Sequence, residues 1–517
     1  MRILVTGGAG FVGSHLCDHL LEQHHTVICV DSFFSGKKEN VSHNLSHPRF
    51  TLITHDIRKP INKDLGKIDR IYHLACPASP DQYQFDPILT LETCVIGTQN
   101  ILKLARKTGA RVLYTSTSEV YGDPLQHPQK EEYFGNVDTL GARACYDEGK
   151  RAAETLCKDY HEQYGIDARV VRIFNTYGPR MMFNDGRVLS NFIHQALLGE
   201  DITVHGTGEQ TRSFMYVSDL VKGLEKRMEV VSKDWKPVNL GNPDERSIKN
   251  LAEKVKEKTQ TQSTVTYTPF KDIPSRIGDP KQRCADISRA KQLCNWEPLV
   301  SFEEGLHKTV EDFKTRLQNR PHIVVFIPTY DNTKKGPVEN AVKEVIQRLG
   351  GWEFDILCAK MNKHVESETH DGRTHIYRLG SGSVLDKFLL PLRAAFFARR
   401  LHKKHHYQIA WAIMVSYGAL AAAGFSFFTK TPTLLSVFEG TVKDKNLQRG
   451  KWLSPLYAII FRSAKRWQVV GKMTQKQQAW LEDERYVQAV QLDGDWDLLA
   501  KKTKDLFNQV EILSTRL

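Results

Sequence analysis

Residues 2–13 of this 517-residue chain read RILVTGGAGFVG, and this stretch decides the fold. The apolar run from Arg2 to Thr6 predicts a short buried β-strand, and a glycine-rich turn follows it at once. Residues 14–22 then repeat apolar side chains with helical spacing. A strand, a glycine turn and a helix in this order are typical of a dinucleotide-binding βα unit, in which the helix N-terminus holds a pyrophosphate.

Three glycines of this turn have separate roles in such a unit. Gly7 allows the tight turn, Gly10 lets the backbone approach the pyrophosphate, and Gly13 permits close packing of the helix on the strand. Phe11 and Val12 lie between them and complete the predicted cofactor-binding segment. The spacing is GxxGxxG rather than GxGxxG, and a glycine turn that binds no nucleotide is the alternative.

Acidic residues follow the next two predicted strands. Asp31 ends the strand over residues 26–30, eighteen residues after Gly13. A carboxylate at that position binds ribose hydroxyls and would repel a 2′-phosphate, so NAD is favoured over NADP. Asp56 and Ile57 follow the third predicted strand, and we expect them to contact the adenine.

Strands and helices continue to alternate through the first 319 residues, with short connections between them. This alternation predicts an α/β fold with a Rossmann-like, doubly wound parallel sheet. Ligands of such sheets bind at the carboxyl ends of the strands. Thr117, Ser118 and Glu119 follow the strand over residues 111–116, so we expect these three side chains at the ligand site.

Tyr146 and Lys150 lie four residues apart in a predicted helix, so their side chains share one face. A Lys ammonium near a phenol favours the phenolate and lowers the phenol pKa toward neutral pH. The pair therefore predicts an acid/base group for a hydroxyl that loses a proton as hydride leaves the same carbon. An ordinary exposed pair on a helix surface is the alternative.

Five longer segments carry a family resemblance. They are HLACPASPDQYQFDP (73–87), TSTSEVYGDP (115–124), CYDEGKRAAET (145–155), RIFNTYGPRMMFNDGRVLSNFI (172–193) and GEQTRSFMYVSDLV (208–221). In order and spacing they resemble the extended short-chain dehydrogenase/reductases that act on nucleotide sugars, and more narrowly the UDP-glucuronic acid decarboxylases, over residues 1–315. Small departures are Cys76, where that family usually has Ser, and Cys284-Ala285, where it has a basic residue and Pro.

The resemblance implies NAD as cofactor and UDP-glucuronic acid as substrate. Tyr146, with Lys150 and Thr117, would remove the 4-hydroxyl proton as C4 is oxidised, and the 4-keto sugar would then lose CO2 and be reduced to UDP-xylose. Ser118-Glu119 differs from the residues of related epimerases and dehydratases. Glu119 would repel the substrate carboxylate or act with water as the acid at C5, and a purely structural hydrogen bond is the alternative.

Further positions of this sequence match substrate-binding residues of the resembled family. Asn175 and Arg212 would bind the diphosphate, Arg187 and its neighbour Asp185 would lie near the nucleotide, and Arg283 would bind phosphate or carboxylate. The resemblance also implies a small interleaved substrate-binding domain and a homodimer through helices near 90–107 and 146–163. Three alternatives stay open: release of the 4-keto pentose with NADH, epimerase or dehydratase activity, and a scaffold role without catalysis.

A second α/β domain is predicted over residues 320–517, because strand patterns at 322–328 and 354–358 restart the βα alternation. Residues 409–428 hold no charge and predict either a transmembrane segment or a buried strand and helix, of which we favour the second. The rhythm of small residues resembles the N-terminal lobe of a GT-B glycosyltransferase, and no donor-binding lobe follows it. This resemblance implies a domain that binds an acceptor or a lipid-linked glycan or pairs with a donor lobe of another chain, and a remnant without such a role is the alternative.

Basic charge is concentrated in this second domain. The chain carries +12, of which residues 1–319 contribute +1 (42 basic, 41 acidic) and residues 320–517 contribute +11 (30 basic, 19 acidic). Such a surface can bind an anionic membrane or glycan, and we expect no nucleic-acid partner.

Nine Cys without a CxxC motif predict reduced thiols in a cytoplasmic or peripheral membrane protein. His402, His405 and His406 lack a neighbouring carboxylate or Cys in sequence, so we expect no metal site.

Overall fold

The structure is a computed structural model of the chain. It describes residues 1–183, 186–231, 234–270, 280, 282–320, 322–330, 336–349, 352–371, 374–438, 459–460, 462–470, 486–490, 499–500, 502–503 and 506–507. The chain forms two compact units, Met1–Thr315 and Arg316–Leu517, and the boundary between them lies four residues before the predicted one. The sequence pattern also predicts closing helices over 479–483 and 497–510. Asp185 and residues 479–483 lie outside the described residues, as do most of residues 497–510.

The first unit contains fourteen described strands. These are β1 (Arg2–Thr6), β2 (Thr26–Asp31), β3 (Phe50–Thr54), β4 (Arg70–His73), β5 (Arg111–Thr117), β6 (Ala168–Ile173), β7 (Thr176–Tyr177), β8 (Ile202–His205), β9 (Thr211–Ser213), β10 (Met215–Tyr216), β11 (Val238–Leu240), β12 (Glu245–Ser247), β13 (Val265–Thr268) and β14 (Gln282–Arg283). Seven of them form one parallel sheet in the order β11-β6-β5-β4-β1-β2-β3. The predicted doubly wound sheet is thereby confirmed, and its order reverses between β1 and β4, where such sheets bind ligands.

Helices cover this sheet. They are α1 (Phe11–Glu22), α2 (Pro80–Tyr83), α3 (Pro87–Glu92), α4 (Thr98–Thr108), α5 (Ala144–Tyr164), α6 (Val188–Leu198), α7 (Val217–Glu229), α8 (Ile248–Thr259), α9 (Ser288–Cys294) and α10 (Phe302–Gln318). Short 3-10 helices occur at Lys38–Asn44 and Ser118–Tyr121, and a short π-helix at Thr93–Gly97. Ile3, Leu4 and Val5 of β1 are fully buried, as expected for a strand with helices on both of its faces. Small sheets β12-β9-β14, β13-β8 and β10-β7 lie apart from the main sheet.

The glycine turn joins β1 to α1 with little space for side chains. Gly7 has φ +69°, a conformation that favours glycine, and a Cβ there would lie 2.9 Å from the Ala75 backbone. A Cβ on Gly13 would lie 2.1 Å from the Gly7 carbonyl oxygen. The first helix can therefore pack this closely on the turn only because neither position carries a side chain.

Gly13→Ala is expected to lower the free energy of unfolding by about 1–3 kcal/mol and to weaken dinucleotide binding, because the helix must move away from the turn. Thermal unfolding with and without NAD measures both effects. Gly424→Ala is the matched control, since a Cβ on that helical glycine would meet its nearest atom at 3.5 Å. Unchanged NAD affinity in a folded Gly13→Ala protein would contradict this role of the turn.

The second unit has one large sheet. Its strands are β15 (His322–Phe326), β16 (Glu353–Ala359), β17 (Glu368–Asp371), β18 (Thr374–Leu379), β19 (Ile409–Ile413), β20 (Thr433–Phe438), β21 (Ala464–Val470) and β22 (Tyr486–Val490), in the order β17-β18-β16-β15-β19-β20-β21-β22. All neighbours are parallel except β17 and β18. Helices α11 (Pro337–Arg348), α12 (Leu385–His405) and α13 (Tyr417–Thr429) connect the strands.

The uncharged segment at 409–428 belongs to this globular unit. It forms β19 and α13, and β20 follows, which is the strand–helix–strand arrangement that we favoured from the sequence. The residues of β19 and β20 are all buried. Among the helices that the structure describes, none combines the length and the hydropathy needed to cross a membrane.

Candidate active site

A cavity of about 900 Å³ lies in the first unit, and every predicted site residue that the structure describes lines it. The predicted cofactor residues are Gly7, Gly10, Phe11, Val12, Gly13, Asp31, Asp56, Ile57 and Lys150, the predicted catalytic ones Thr117, Ser118, Glu119, Tyr146 and Lys150, and the predicted substrate-binding ones Asn175, Arg187, Arg212 and Arg283. Residues that lie far apart in sequence therefore share one site at the ligand-binding edge of the sheet.

Asp31 ties the glycine turn to the end of β2. Its carboxylate accepts hydrogen bonds from the backbone N–H of Ala9 (2.9 Å) and Phe33 (2.8 Å). A Cβ on Gly36 would come within 2.7 Å of the same carboxylate, so the loop after β2 can pack against Asp31 only because glycine is there. The turn, the helix N-terminus and an acidic residue at the next strand end fit the pyrophosphate and ribose of a dinucleotide.

Helix α5 places Tyr146 and Lys150 on its buried face. The Lys150 ammonium donates a 2.8 Å hydrogen bond to the Thr115 carbonyl on β5 and lies 5.8 Å from the centre of the Tyr146 ring. The Tyr146 ring stacks on Tyr83, with 4.8 Å between ring centres and 6° between planes. The pair is thus buried and held from both sides, which excludes the exposed surface pair considered as the alternative.

One sequence expectation about this pair is wrong for this structure. Burial raises the pKa of Tyr146 well above its ordinary value, and nearby Cys76 raises it further, whereas a hydrogen bond with Thr117 lowers it. The lowering expected from Lys150 does not prevail, because the ammonium is engaged by the Thr115 carbonyl while the phenol is fully desolvated. Tyr146 is therefore a neutral phenol in this state of the site.

Glu119 lies between two arginines. Arg143 and Arg283 both donate to its carboxylate, and the second contact from Arg283 measures 2.8 Å. Burial would raise the pKa of Glu119, but the two guanidinium groups outweigh it and hold the pKa at about 2. A carboxyl group with that pKa carries no proton at neutral pH, which argues against the expected role as an acid at C5.

The two arginines also change the other role considered for Glu119. A carboxylate compensated by two cations repels a substrate carboxylate only weakly. The geometry instead makes Glu119 the group that fixes Arg143 and Arg283 in the cavity wall. Its hydrogen bonds therefore have a positioning role: they hold two guanidinium groups that line the cavity.

The predicted anion-binding arginines are brought together by strand pairing. β14 pairs with β9 so that Arg283 stands opposite Arg212. Arg212 is buried, and its guanidinium donates to the carbonyls of Thr211 (2.7 Å) and Pro280 (2.6 Å). Arg187 donates a 3.1 Å hydrogen bond to the Ala78 carbonyl. Carbonyl contacts orient the guanidinium groups of Arg187 and Arg212, and a guanidinium is suited to bind phosphate.

Positive charge predominates along the cavity wall. Among the described lining residues, nine are cationic and three are anionic. The cations are Lys37, Arg58, Lys59, Arg143, Lys150, Arg180, Arg187, Arg212 and Arg283, and the anions are Asp31, Asp56 and Glu119. This excess favours a ligand with several negative charges.

Sequence reasoning missed several lining residues. Tyr83 and Arg143 both line the cavity, and Cys76 lies there with its sulfur 3.2 Å from that of Cys94. Tyr83 falls within a segment quoted for the resemblance, so its aromatic ring was a signal that could have been used. Arg143 precedes α5 and no motif marks it, so only the fold reveals its contact with Glu119.

Asp147 follows Tyr146 and is buried next to the Glu119 cluster. One of its carboxyl oxygens has no hydrogen-bond partner among the described residues. Burial, reinforced by the charge of Glu119, raises the pKa of Asp147 to about 8 from its ordinary 3.8. The folded protein therefore holds a proton here that the unfolded chain releases, so stability declines as the pH rises from about 4 to about 8.

Asp147→Asn is expected to raise the free energy of unfolding at pH 8 by about 1–3 kcal/mol, because the amide is neutral in both states whereas the carboxyl group must keep a proton, or bury a charge, in the folded state. The gain should shrink as the pH falls toward 4 and vanish below it, where the carboxyl group becomes protonated in the unfolded chain as well. Thermal unfolding at several pH values measures the difference. Asp159→Asn, at a half-exposed position on the same helix, is the control. An equal difference at pH 4 and pH 8 would contradict the raised pKa.

The first unit is similar in sequence and in fold to known proteins that act on nucleotide sugars. UDP-glucuronic acid decarboxylase 1 of Arabidopsis thaliana is 54% identical over 319 residues, which are 62% of this chain and 71% of that protein. UDP-glucuronic acid decarboxylase 3 of the same plant is 55% identical over 318 residues, which are 61% of this chain and 90% of that protein. The solved UDP-glucuronic acid 4-epimerase of Bacillus cereus, in complex with UDP-glucuronic acid and NAD, is 30% identical with a TM-score of 0.55, over 61% of this chain and 99% of that one. Residues 4–309 match the family described as GDP-mannose 4,6 dehydratase. With its parallel sheet, glycine turn and buried Tyr–Lys pair, the chain belongs to this family of short-chain dehydrogenase/reductases.

Proposed function

We propose that residues 1–319 convert UDP-glucuronic acid to UDP-xylose and CO2 with NAD as cofactor. One observation carries the proposal: Tyr146 and Thr117 line the same cavity as the glycine turn and the arginines Arg212 and Arg283. A bound sugar nucleotide can place its diphosphate on arginines while a sugar hydroxyl reaches the phenol. The 54–55% identity to named UDP-glucuronic acid decarboxylases supports the choice of substrate.

Tyr146 would accept the proton of the 4-hydroxyl, and the Thr117 hydroxyl would orient that group. NAD, when bound, supplies the hydride acceptor for C4 and returns the hydride at the end of the cycle. The raised pKa of Tyr146 must fall before it can act as a base. Lys150 is the nearby cation that can stabilise the phenolate if the ammonium turns from the Thr115 carbonyl toward it.

Oxidation at C4 places the C6 carboxylate β to a ketone. The bond from C5 to C6 then breaks, CO2 leaves, and the electron pair passes into the ketone as an enolate. Tyr146, protonated in the first step, is positioned to donate to that oxygen, and Arg283 and Arg143 supply positive charge in the same wall. One proton enters at C5, so each CO2 released consumes one proton overall.

Incubation with UDP-glucuronic acid and catalytic NAD, followed by NMR of the products, tests this function. We expect UDP-xylose and CO2 in equal amounts with no net NADH. NADH accumulating one-for-one with CO2 would mean that the 4-keto pentose is released. Conversion of the sugar nucleotide without CO2 would replace the decarboxylase with an epimerase or dehydratase. Absence of all three reactions would support a scaffold role. Light scattering of the same preparation tests whether the chain is a dimer.

For residues 320–517 we propose a peripheral association with anionic membrane, through which the domain would reach a glycan acceptor or a donor-lobe partner. The support is the exposed face of α12, where Leu385, Phe388, Leu392 and Phe396 are 68%, 54%, 66% and 63% exposed. Their spacing puts these apolar side chains on one helix stripe. Basic residues Arg393, Arg399, Arg400, Lys403 and Lys404 accompany the stripe. Apolar residues beside cations are typical of interfacial helices.

Flotation of the full chain with vesicles tests the membrane proposal. We expect binding to phosphatidylserine-containing vesicles, weaker binding to neutral ones, and loss on replacing Phe388 and Phe396 by Ser. Met361→Ser, at an exposed apolar residue outside α12, is the control. If the chain bound neither kind of vesicle, the membrane proposal would be rejected, and a soluble cytoplasmic protein with a glycan or protein partner would remain.

A further inference from the structure

A second cluster of chemically active side chains lies in the second unit. It consists of His322 at the start of β15, Asp355 in β16 and His405 at the end of α12. The parallel pairing of β15 with β16 places Asp355 opposite Val324, two residues from His322 along β15. Their possible ligand atoms all lie within 4.8 Å of one another.

Asp355 is fully buried, which is unusual for a carboxylate. One oxygen accepts from His405 Nδ1 (2.8 Å) and from the Tyr407 hydroxyl (2.5 Å). The other oxygen, and Nδ1 of His322, are buried and have no hydrogen-bond partner among the described residues. The rings of His322 and His405 lie 4.6 Å apart. Two unsatisfied atoms thus remain in a cluster that already contains an anion.

We propose that His322, Asp355 and His405 bind a divalent transition-metal ion of the zinc class. Two imidazole nitrogens and a carboxylate oxygen are ligands that zinc accepts, at about 2.0–2.2 Å. Ligand atoms of a tetrahedral zinc lie about 3.3 Å apart, as follows from those bond lengths. The contacts of 2.8 Å and up to 4.8 Å therefore need adjustments of about 1 Å or somewhat more.

The ion would satisfy the atoms that the cluster leaves without partners. It would replace the proton between His405 and Asp355 and engage Nδ1 of His322. His375 pairs in register with Asp355 from β18 but is not one of the three residues whose ligand atoms lie within 4.8 Å of one another, so a water would fill the fourth position. The bound ion would join α12 to two central strands and stabilise this unit.

The fold explains why this site could not be recognised from the sequence alone. We considered His405 together with His402 and His406 and expected no metal, because no carboxylate lies nearby in sequence. Asp355 precedes His405 by fifty residues and reaches it only through the sheet. The interpretation of a metal-free His405–Asp355 ion pair is the alternative.

Another His/Glu/Cys group in the first unit provides an internal comparison. His127, Glu245 and Cys284 also bring ligand atoms within 4.8 Å of one another. There His127 pairs with Glu245 at 3.1 Å, and the Cys284 thiol donates to the Pro243 carbonyl at 3.5 Å. This group includes a sulfur ligand, so a metal bound there has a different spectroscopic signature.

The experiment uses the full chain, stripped with EDTA and titrated with ZnCl2 against a chromophoric chelator. We expect one zinc per chain, lost in His322→Gln and His405→Gln and kept in His127→Gln and in His364→Gln, which replaces an exposed His of the same unit. X-ray absorption should show a nitrogen/oxygen shell at about 2.0–2.1 Å without the sulfur distance of about 2.3 Å. His322→Gln keeps the Asp355 ion pair, and circular dichroism confirms that each variant is folded.

Three results would overturn the proposal. They are no zinc retained by the wild-type chain in competition with the chelator, full retention by the folded His322→Gln and His405→Gln variants, or a sulfur shell that disappears in Cys284→Ala. The last would assign the metal to the first unit.

Discussion

Tyr146→Phe is expected to lower kcat for CO2 release from UDP-glucuronic acid by about 10²- to 10⁴-fold, the usual contribution of a positioned acid/base group. The substitution removes only the phenol oxygen and keeps the ring that stacks on Tyr83. The effect should fall on kcat rather than on NAD affinity, because the predicted contacts to the cofactor's pyrophosphate and adenosine come from the glycine turn, Asp31 and Asp56. The measurement is steady-state CO2 release together with an NAD titration.

Tyr133→Phe is a matched control for this substitution. Tyr133 is a half-buried tyrosine of the first unit outside the cavity lining, and its hydroxyl accepts a 3.0 Å hydrogen bond from the Leu125 backbone N–H. The Tyr133→Phe protein should keep its activity within a few fold. If a folded Tyr146→Phe protein released CO2 at the wild-type rate, the buried Tyr–Lys pair would not be the acid/base group.

Glu119→Gln is expected to lower the free energy of unfolding by about 3–5 kcal/mol at neutral pH, because it leaves two guanidinium groups without their shared anion. We also expect kcat to fall by about 10²-fold, since misplacement of positioning groups by about 1 Å can cost that much. The depressed pKa of Glu119 sets the pH dependence. Its stabilisation is complete above its ordinary pKa of 4.5 and is lost as the pH falls toward about 2.

Chemical denaturation between pH 3 and pH 7 tests the stability effect, and the Glu119→Gln deficit should shrink at the acid end. A double-mutant cycle with Arg283→Gln separates the ion pair from the rest of the site. The double variant should lose less stability than the sum of the two single ones. If the folded Glu119→Gln protein released CO2 at the wild-type rate, Glu119 would have no role in the reaction.

The sheet of the first unit was predictable because its signals are local. A strand, a glycine turn and a helix occur together within residues 2–22, and the alternation continues with short connections. The same reasoning placed β19 and α13, since an uncharged stretch interrupted by Gly418 is better explained by two buried elements than by one long helix. A Cβ on Gly418 would lie 3.0 Å from the Phe326 carbonyl, so the helix packs closely on β15.

The electrostatics of the site were not predictable, because they depend on burial and on distant pairing. The sequence places Lys150 near Tyr146 but does not reveal that the phenol is fully desolvated, which reverses the expected pKa shift. Glu119 and Arg283 are 164 residues apart and meet only because β14 pairs with β9. The expected role of Glu119 changed for that reason, whereas its location at the strand end was correct.

The cationic wall of the cavity has a consequence for how fast a ligand arrives. Nine cations against three anions focus an electric field in the mouth of the site, which accelerates the diffusional encounter with a multiply charged sugar nucleotide. Added salt screens such a field within about 8–10 Å at ordinary ionic strength. The association step is therefore sensitive to the ionic composition of the medium, while the chemical step beneath the buried arginines is shielded from it.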